Sequence, residues 1–213
     1  MTFSGPSERY DVIVVGMGPA GASAAYELSL RGLSVLAFDK QTHPRYKVCG
    51  GGLSARIANI LPADFPCIVE ESVHRVQFTY GAQESFLIQS PEPIAYMVMR
   101  QDFDQWLVGK ARQAGTIVHE DETVLEVHNL EEEVEVVTKQ GRYRSRVVIG
   151  ADGVMSMVAQ QCFPGRSLMK IPALESEVHG EPLHVFQKTP TALISLSAAK
   201  KGYGWIFPKR EGL

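Results

Sequence analysis

Three short stretches carry residue types and spacings suited to chemistry. In "GMGPAG", Gly16, Gly18 and Gly21 stand in G-x-G-x-x-G spacing. The first glycine permits a tight turn, the second lets a pyrophosphate approach the backbone, and the third lets a helix pack closely on a strand. Pro19 and Ala20 open that helix, and the free N–H groups at its start then face the phosphates. Asp39, followed by Lys40, ends the next apolar run, where a carboxylate accepts ribose hydroxyls. The context predicts dinucleotide binding and leaves NAD and FAD open. In "KVCGGGLS", the thiol of Cys49 directly precedes Gly50, Gly51 and Gly52. Glycines there let a planar ring system come close to the backbone. In "YGWIFPK", Tyr203, Trp205 and Phe207 fall at i, i+2 and i+4, so on a strand all three rings share one face, with Pro208 ending or edging it. Such a stripe alone is ordinary core packing; as a site it is an apolar wall.

The elements that position these stretches follow from hydrophobic period. An apolar run at Asp11 to Val15, the glycine turn, an alanine-rich helix ending at Gly32, and a run at Leu33 to Phe38 make a βαβ unit. Both runs are continuous rather than alternating, as strands of a parallel sheet covered on both faces are. Gln41 to Gly52 reads as a long functional loop. His74 to Tyr80 and Glu84 to Gln89 alternate around Gly81 and predict an antiparallel hairpin. Phe103, Leu107 and Ala111 mark a helix over Arg100 to Gly115, with Asp102 as its N-cap and Gly115 as its stop. Val124 to Leu130, Val134 to Thr138 and Tyr143 to Ile149 form a meander whose first turn, Glu131 to Glu133, is a solvated acidic run. Beyond "GADG", Ala173 to Phe207 again reads as short alternating strands. The predicted division is a discontinuous nucleotide domain, residues 1–72 and 100–165, interrupted by a β-rich domain, residues 73–99 and 166–213.

Composition excludes several classes. With 213 residues, 45% hydrophobic and 21% charged, the chain buries a real core. A net charge of −3 gives no basic face for nucleic acid. The three cysteines, Cys49, Cys67 and Cys162, fit a reducing, cytoplasmic compartment, and their spacing offers no structural metal site. The N-terminal apolar run, cut at Gly16, is too short for a signal core or a membrane span. Peripheral contact with a membrane surface stays open.

A second glycine turn narrows the cofactor. In "VVIGADGVMS", Asp152 and Gly153 directly follow a strand. Asp-Gly alone is a common turn. Together with "GMGPAG" and Arg100 at a helix start, it resembles the FAD-binding pattern of the para-hydroxybenzoate hydroxylase-like flavoproteins. The resemblance implies an α/β fold in which a Rossmann-like FAD-binding domain of the GR2 type interleaves with a β-rich antiparallel substrate domain. It also implies that Arg100, Asp152 and Gly153 join the FAD site. The arginine common soon after this turn in that family is replaced here by Ser156, Met157, Val158 and Ala159.

"CGGGLS" together with "YGWIFPK" closely resembles the geranylgeranyl reductase family of flavoproteins, from Tyr10 to the C-terminus. That resemblance implies reduction of isolated double bonds in polyprenyl lipids, in diphosphates or in chlorophyll-type precursors. It places Cys49, Gly50 and Gly51 along the flavin and gives Tyr203, Trp205 and Phe207 to the polyprenyl chain. The resemblance implies NAD(P)H or ferredoxin as the electron donor. An isolated alkene needs a proton as hydride arrives, and Cys49, a held water and the Tyr203 hydroxyl are the candidate donors, with packing beside the flavin the other reading of Cys49. Members of the family carry a further glycine-aspartate segment beyond the aromatic motif, so the expectation is an N-terminal portion, C-terminally incomplete and inactive alone. An aromatic hydroxylase or halogenase on the same scaffold, and a non-catalytic FAD- or lipid-binding fragment, are the alternatives.

Overall fold

The computed structural model describes residues 9–81, 84–166, 169–178 and 189–210. In chain order the elements are β1 (Arg9–Val15), α1 (Pro19–Leu30), β2 (Val35–Phe38), β3 (Gly52–Ser54), β4 (Glu71–Val73), β5 (Arg75–Tyr80), β6 (Glu84–Gln89), β7 (Ala95–Met97), α2 (Arg100–Gln113), β8 (Ile117–His119), β9 (Val124–Asn129), β10 (Val134–Thr138), β11 (Arg142–Gly150), α3 (Met157–Cys162), β12 (Thr191–Ser195) and β13 (Gly204–Ile206). Two short 3₁₀ turns, Ala55–Asn59 and Phe65–Ile68, lie between β3 and β4. The chain divides into two compact units, Met1–Tyr46 with Phe103–Pro172 and Lys47–Asp102 with Ala173–Leu213.

The first unit is built on a six-stranded sheet of order β8-β2-β1-β11-β10-β9. β1 lies parallel to both β2 and β11, with Val12 opposite Val35 on one side and Val147 on the other. Val12, Ile13, Val14 and Val15 are all buried, which is why this run is apolar without alternation. Ile13, Val15, Leu36 and Phe38 join Tyr10, Val124, Val136 and Val158 in one core cluster. The meander β9–β10–β11 is antiparallel as its sequence predicts, and its acidic turn is in part paired, since Arg144 donates to Glu133 at 2.7 Å. Three-residue β8, parallel to β2, completes the edge. Its shortness left no period to read.

Both long helices stop in the same way. Gly32 N–H donates to Ser29 O and Leu33 N–H to Leu28 O; Gly115 N–H donates to Arg112 O and Thr116 N–H to Ala111 O. These are the paired bonds of the Schellman motif, with glycine at C′. The start of α2 differs from expectation. Asp102 lies inside the first turn, because its N–H donates to Met99 O and the helix begins at Arg100. Phe103, Leu107 and Ala111 are buried as their spacing predicts.

The second unit holds a four-stranded sheet, β13-β12-β5-β6, and a three-stranded one, β3-β7-β4. β5 and β6 form the expected hairpin, Arg75 opposite Gln89 through Tyr80 opposite Glu84. The sheet is mixed rather than antiparallel throughout, since β12 lies parallel to β5 with Thr191 opposite Arg75. A strand from so far along the chain enters beside β5 by a crossover, not by a hairpin turn, so its direction is free of the antiparallel constraint. Residues 173–178 form no strand; any strand over 179–188 lies outside the described residues. Val73, Val76, Met97 and Ala192 make this unit's core, with Phe78, Ile194 and Phe207 against it. Residues 47–72, grouped by sequence with the nucleotide domain, pack with this unit because β3 and β4 both pair with β7.

Candidate functional site

In the first unit, the fingerprint turn is held by main-chain bonds at both ends. Gly16 N–H donates to Phe38 O at 2.7 Å, and Ala151 N–H donates to Val15 O at 2.7 Å. Gly16 has φ +94, and a Cβ there would lie 2.5 Å from Ala151 O. The first glycine thus serves conformation and clearance together. A Cβ on Gly21 would overlap Gly16 O itself. The two glycine turns predicted from distant parts of the sequence therefore meet: the Ala151–Asp152 backbone rests on Gly16.

Asp39 is buried, and its carboxylate orders this turn. Oδ2 accepts Met17 N–H at 2.8 Å and Oδ1 accepts Gln41 N–H at 2.9 Å. Each oxygen has a second acceptor position for a ribose hydroxyl. Lys40 beside it is exposed. Asp152 is committed to α3: it accepts Met157 N–H at 2.7 Å, Val158 N–H at 3.2 Å and Ser156 Oγ–H. Ser156 in turn accepts Ala159 N–H as N-cap. Ser156, in the stretch where the resemblance would have an arginine, is here used for capping.

Sequence reasoning missed Arg45. Its guanidinium is nearly buried and pairs with the fully buried Asp104 at 3.1 Å. Nη2 lies 3.6 Å from where a Gly18 Cβ would stand. Nη1 is buried without a hydrogen bond of good geometry. α1 starts at Gly18 and Pro19 with no side-chain cap and no acidic residue in its first turn. Uncapped N–H groups, a bare glycine and a guanidinium together fit a pyrophosphate, and Asp39 fits a ribose. These residues suit FAD.

Behind Asp39 lies a polar network. Buried Glu122 accepts from Thr138 Oγ1 at 2.5 Å and Tyr143 OH at 3.1 Å, and meets His119 Nδ1 at 2.9 Å, while its own N–H donates to Asp39 O. Burial, then the Glu122 carboxylate, pushes the Tyr143 phenol above its ordinary value, outweighing the Thr138 hydrogen bond. His43 gives Glu120 its N–H at 2.9 Å and meets it through Nδ1, and Arg112 donates to the other oxygen at 2.8 Å. Burial raises the Glu120 carboxyl, but Arg112 and His43 outweigh it and hold it below the ordinary value.

In the second unit, the thiol loop and the aromatic strand are packed together. A Cβ on Gly50 would lie 2.6 Å from Trp205 Nε1 and 2.9 Å from Phe207, and one on Gly52 would lie 3.0 Å from Phe207. The rings that these glycines accommodate in this unit are the protein's own. Tyr203, Trp205 and Phe207 form a row, with ring centroids 5.9 and 6.2 Å apart, so they share a face although β13 itself spans only Gly204–Ile206. Tyr203 is exposed and Trp205 and Phe207 are half-buried. Cys49 is an exposed free thiol. Lys209 donates to Gly50 O at 2.9 Å and Val98 O at 2.8 Å. Burial pushes its ammonium below the ordinary lysine value against the pull of Glu175, Glu70, Cys49 and Glu177. Arg100 is the first residue of α2 and groups with this unit.

The FAD binding domain family matches residues 9–208. The chain belongs to that family. Its cofactor is FAD, in keeping with the dinucleotide turn. A digeranylgeranylglycerophospholipid reductase of Methanopyrus kandleri is 30% identical over 95% of this chain and 56% of its own length. A geranylgeranyl diphosphate reductase of Rhodobacter capsulatus is 30% identical over 94% of this chain and 52% of its own. A solved geranylgeranyl bacteriochlorophyll reductase-like protein from Thermoplasma acidophilum superposes with a TM-score of 0.78 at 25% identity, over 96% of this chain and 55% of the other. The chain spans about half the length of the curated relatives it matches. Among the described residues, no helix is long and apolar enough to cross a membrane, and no cluster of His, Cys, Asp and Glu could hold a metal.

Proposed function

We propose that this chain serves an FAD-dependent oxidoreductase that reduces isolated C=C bonds of polyprenyl chains. The observation that carries the reading is the packing of the Cys49–Gly52 loop under Trp205 and Phe207, which joins the two motifs that resemble the geranylgeranyl reductases. When bound, FAD supplies the hydride. Gly16, Gly18, Pro19, Ala20 and Gly21 with Arg45 hold its pyrophosphate, and Asp39 takes the adenosine ribose. Gly153 leaves the second turn open, and Asp152 fixes that turn by capping α3 rather than by direct contact. Lys40, Gly50, Gly51 and Arg100 complete the proposed cofactor set. Tyr203, Trp205 and Phe207 offer π faces to an apolar chain and to cationic character at the alkene carbon that receives the hydride, while the proton goes to its neighbour. The exposed Cys49 thiol is the proposed donor of that proton, with the Tyr203 hydroxyl as its rival. The polyprenyl substrate is a lipid or a diphosphate, NAD(P)H or ferredoxin supplies electrons, and substrate delivery is by peripheral membrane contact.

The test is anaerobic reduction of a geranylgeranyl lipid with dithionite by this chain joined to the C-terminal half of a related reductase and loaded with FAD, read by mass as gain of one H₂ per bond. Cys49→Ser is expected to keep the flavin spectrum and to slow reduction or change which bonds are reduced. Unaltered rate and products would remove Cys49 from proton transfer. NAD(P)H-coupled oxygen consumption with no alkene reduction would point instead to a hydroxylase or halogenase.

A further inference from the structure

The end of the β3–β7 ladder is unusual in what closes it. β3 and β7 pair antiparallel up to Gly52 opposite Met97. One step further, Val98 N–H donates to Gly51 O at 2.9 Å. Among the described residues, the return bond to Val98 O comes from no backbone amide but from Lys209 Nζ, which also donates to Gly50 O. The main chain turns out of the ladder at Gly51, where φ is +65. Two carbonyls are thereby left without strand partners, and a single ammonium satisfies both. The fit is close: a Cβ on Gly51 would overlap Val98 O and stand 2.7 Å from Nζ. Lys209 follows Phe207 by two residues, and Phe207 covers Gly52 and Gly50. The same short segment therefore presses rings on the loop and holds the loop's carbonyls.

Resting on the polyprenyl-reductase reading above, we propose that Lys209 is the positioning residue of the thiol loop, an ammonium latch that fixes the Cys49–Gly52 turn beneath the aromatic strand and so sets where the Cys49 thiol is presented. Glu70, Glu175, Glu177 and the Cys49 thiol are the ionisable groups that act on this ammonium. One Glu175 carboxylate oxygen is buried with no hydrogen-bond partner among the described residues. The Glu175 carboxylate opposes the lowering by burial, the largest influence on the lysine, and is the strongest of the acidic groups that do so. The neighbouring Arg210 donates to Val69 O at 3.3 Å, and Glu70 N–H donates to Met97 O at 2.7 Å, so the same segment also reaches the chain entering β4.

The experiment compares wild type with Lys209→Met, Lys209→Arg and Gly51→Ala by amide hydrogen exchange in the FAD-loaded chain. The Val98 amide, bonded to Gly51 O, reports the latch. The Ile94 amide, bonded to Val73 O in the same unit, reports the fold around it. Lys209→Met is expected to speed exchange at Val98 by about tenfold or more and to leave Ile94 unchanged. Lys209→Arg, which replaces a compact ammonium by a wider planar fork, is expected to rescue little. The Gly51→Ala/Lys209→Met double variant is expected to exchange no faster than either single variant, because both break one latch. In polyprenyl reduction by the chain joined to the C-terminal half of a related reductase, Lys209→Met is expected to lower kcat and leave KM unchanged, since the aromatic row is intact. Unchanged Val98 protection in a folded Lys209→Met protein overturns the proposal, as does equal acceleration at Val98 and Ile94. Should Lys209→Met fail to fold, Lys209→Gln carries the same comparison. If exchange responds as expected but the wild-type chain joined to the C-terminal half of a related reductase reduces no polyprenyl chain, the latch stands and the reductase reading falls.

Discussion

The two glycine-rich turns use the same residue for opposite ends. In the fingerprint turn, the clearance that Gly16 and Gly21 provide is for main chain: Ala151 O and Gly16 O occupy the space a Cβ would need. In the thiol loop, the clearance at Gly50 and Gly52 is for side chains, the rings of Trp205 and Phe207. Backbone cannot retreat without moving a strand or a helix, whereas a ring on a short edge strand can turn aside. The first turn is part of the scaffold, and the second is an adjustable contact between a loop and a strand more than a hundred residues further along the chain.

The sharpest way to break this comparison is alanine at each position. Gly21→Ala drives a methyl into Gly16 O and must lift α1 from the β1 turn, with an expected loss of about 3 kcal/mol or more in urea unfolding and loss of retained FAD. No side-chain substitution elsewhere should restore it. For Gly50→Ala the nearest atoms are the side chains of Trp205 and Phe207, so the expected loss is about 1 kcal/mol. Phe207→Leu, which removes part of the obstructing ring, should recover some of that loss in a double-mutant cycle. A Gly50→Ala loss as large as that of Gly21→Ala, with no recovery, would mean that the thiol loop is as rigid as the fingerprint.

What could be read from the sequence follows the same line. The βαβ unit, the Gly32 and Gly115 helix stops and the buried row Phe103, Leu107, Ala111 are local patterns, and all appear in the structure. The contacts that join Gly50 to Trp205 and Lys209 to Gly50 O are not local, and neither leaves a period in the sequence. β3, β4, β7 and β8 have three residues each, too few for alternation to register. The parallel entry of β12 beside β5 is a choice of topology that strand composition does not encode. Arg45 is one charged residue in a polar loop until the fold brings it beside Gly18 and Asp104. The meeting of Gly16 with the Asp-Gly turn was foreseeable only as a resemblance. The closeness of their backbones is what the structure adds.

The smallest expected effect separates the two regions by pH. Glu120 in the first unit has its carboxyl held below its ordinary value of 4.5, because hydrogen bonds and charge from Arg112 and His43 outweigh the opposing effect of burial. Its contribution to stability is therefore complete above pH 4.5 and is lost as pH falls through the lowered folded value. Lys209 in the second unit is also lowered, from 10.5, but burial is the dominant cause. Its contribution is complete only above 10.5 and is lost as pH falls through the folded value, so at neutral pH the buried ammonium weighs against the fold. Glu120→Gln should then lower the urea midpoint at neutral pH, by about 1 kcal/mol or less in stability, and converge on wild type in acid. Lys209→Met should leave the acid limb alone and flatten the rise toward alkaline pH. Its loss of two carbonyl bonds and its relief of a buried charge act in opposite directions, so its neutral-pH stability should change less than the exchange rate at Val98. If instead Lys209→Met lost stability at neutral pH as steeply as Glu120→Gln loses it, the ammonium would be a net support of the fold. The contrast between a first unit stabilised by its charges and a loop held at some expense to the fold would then fail.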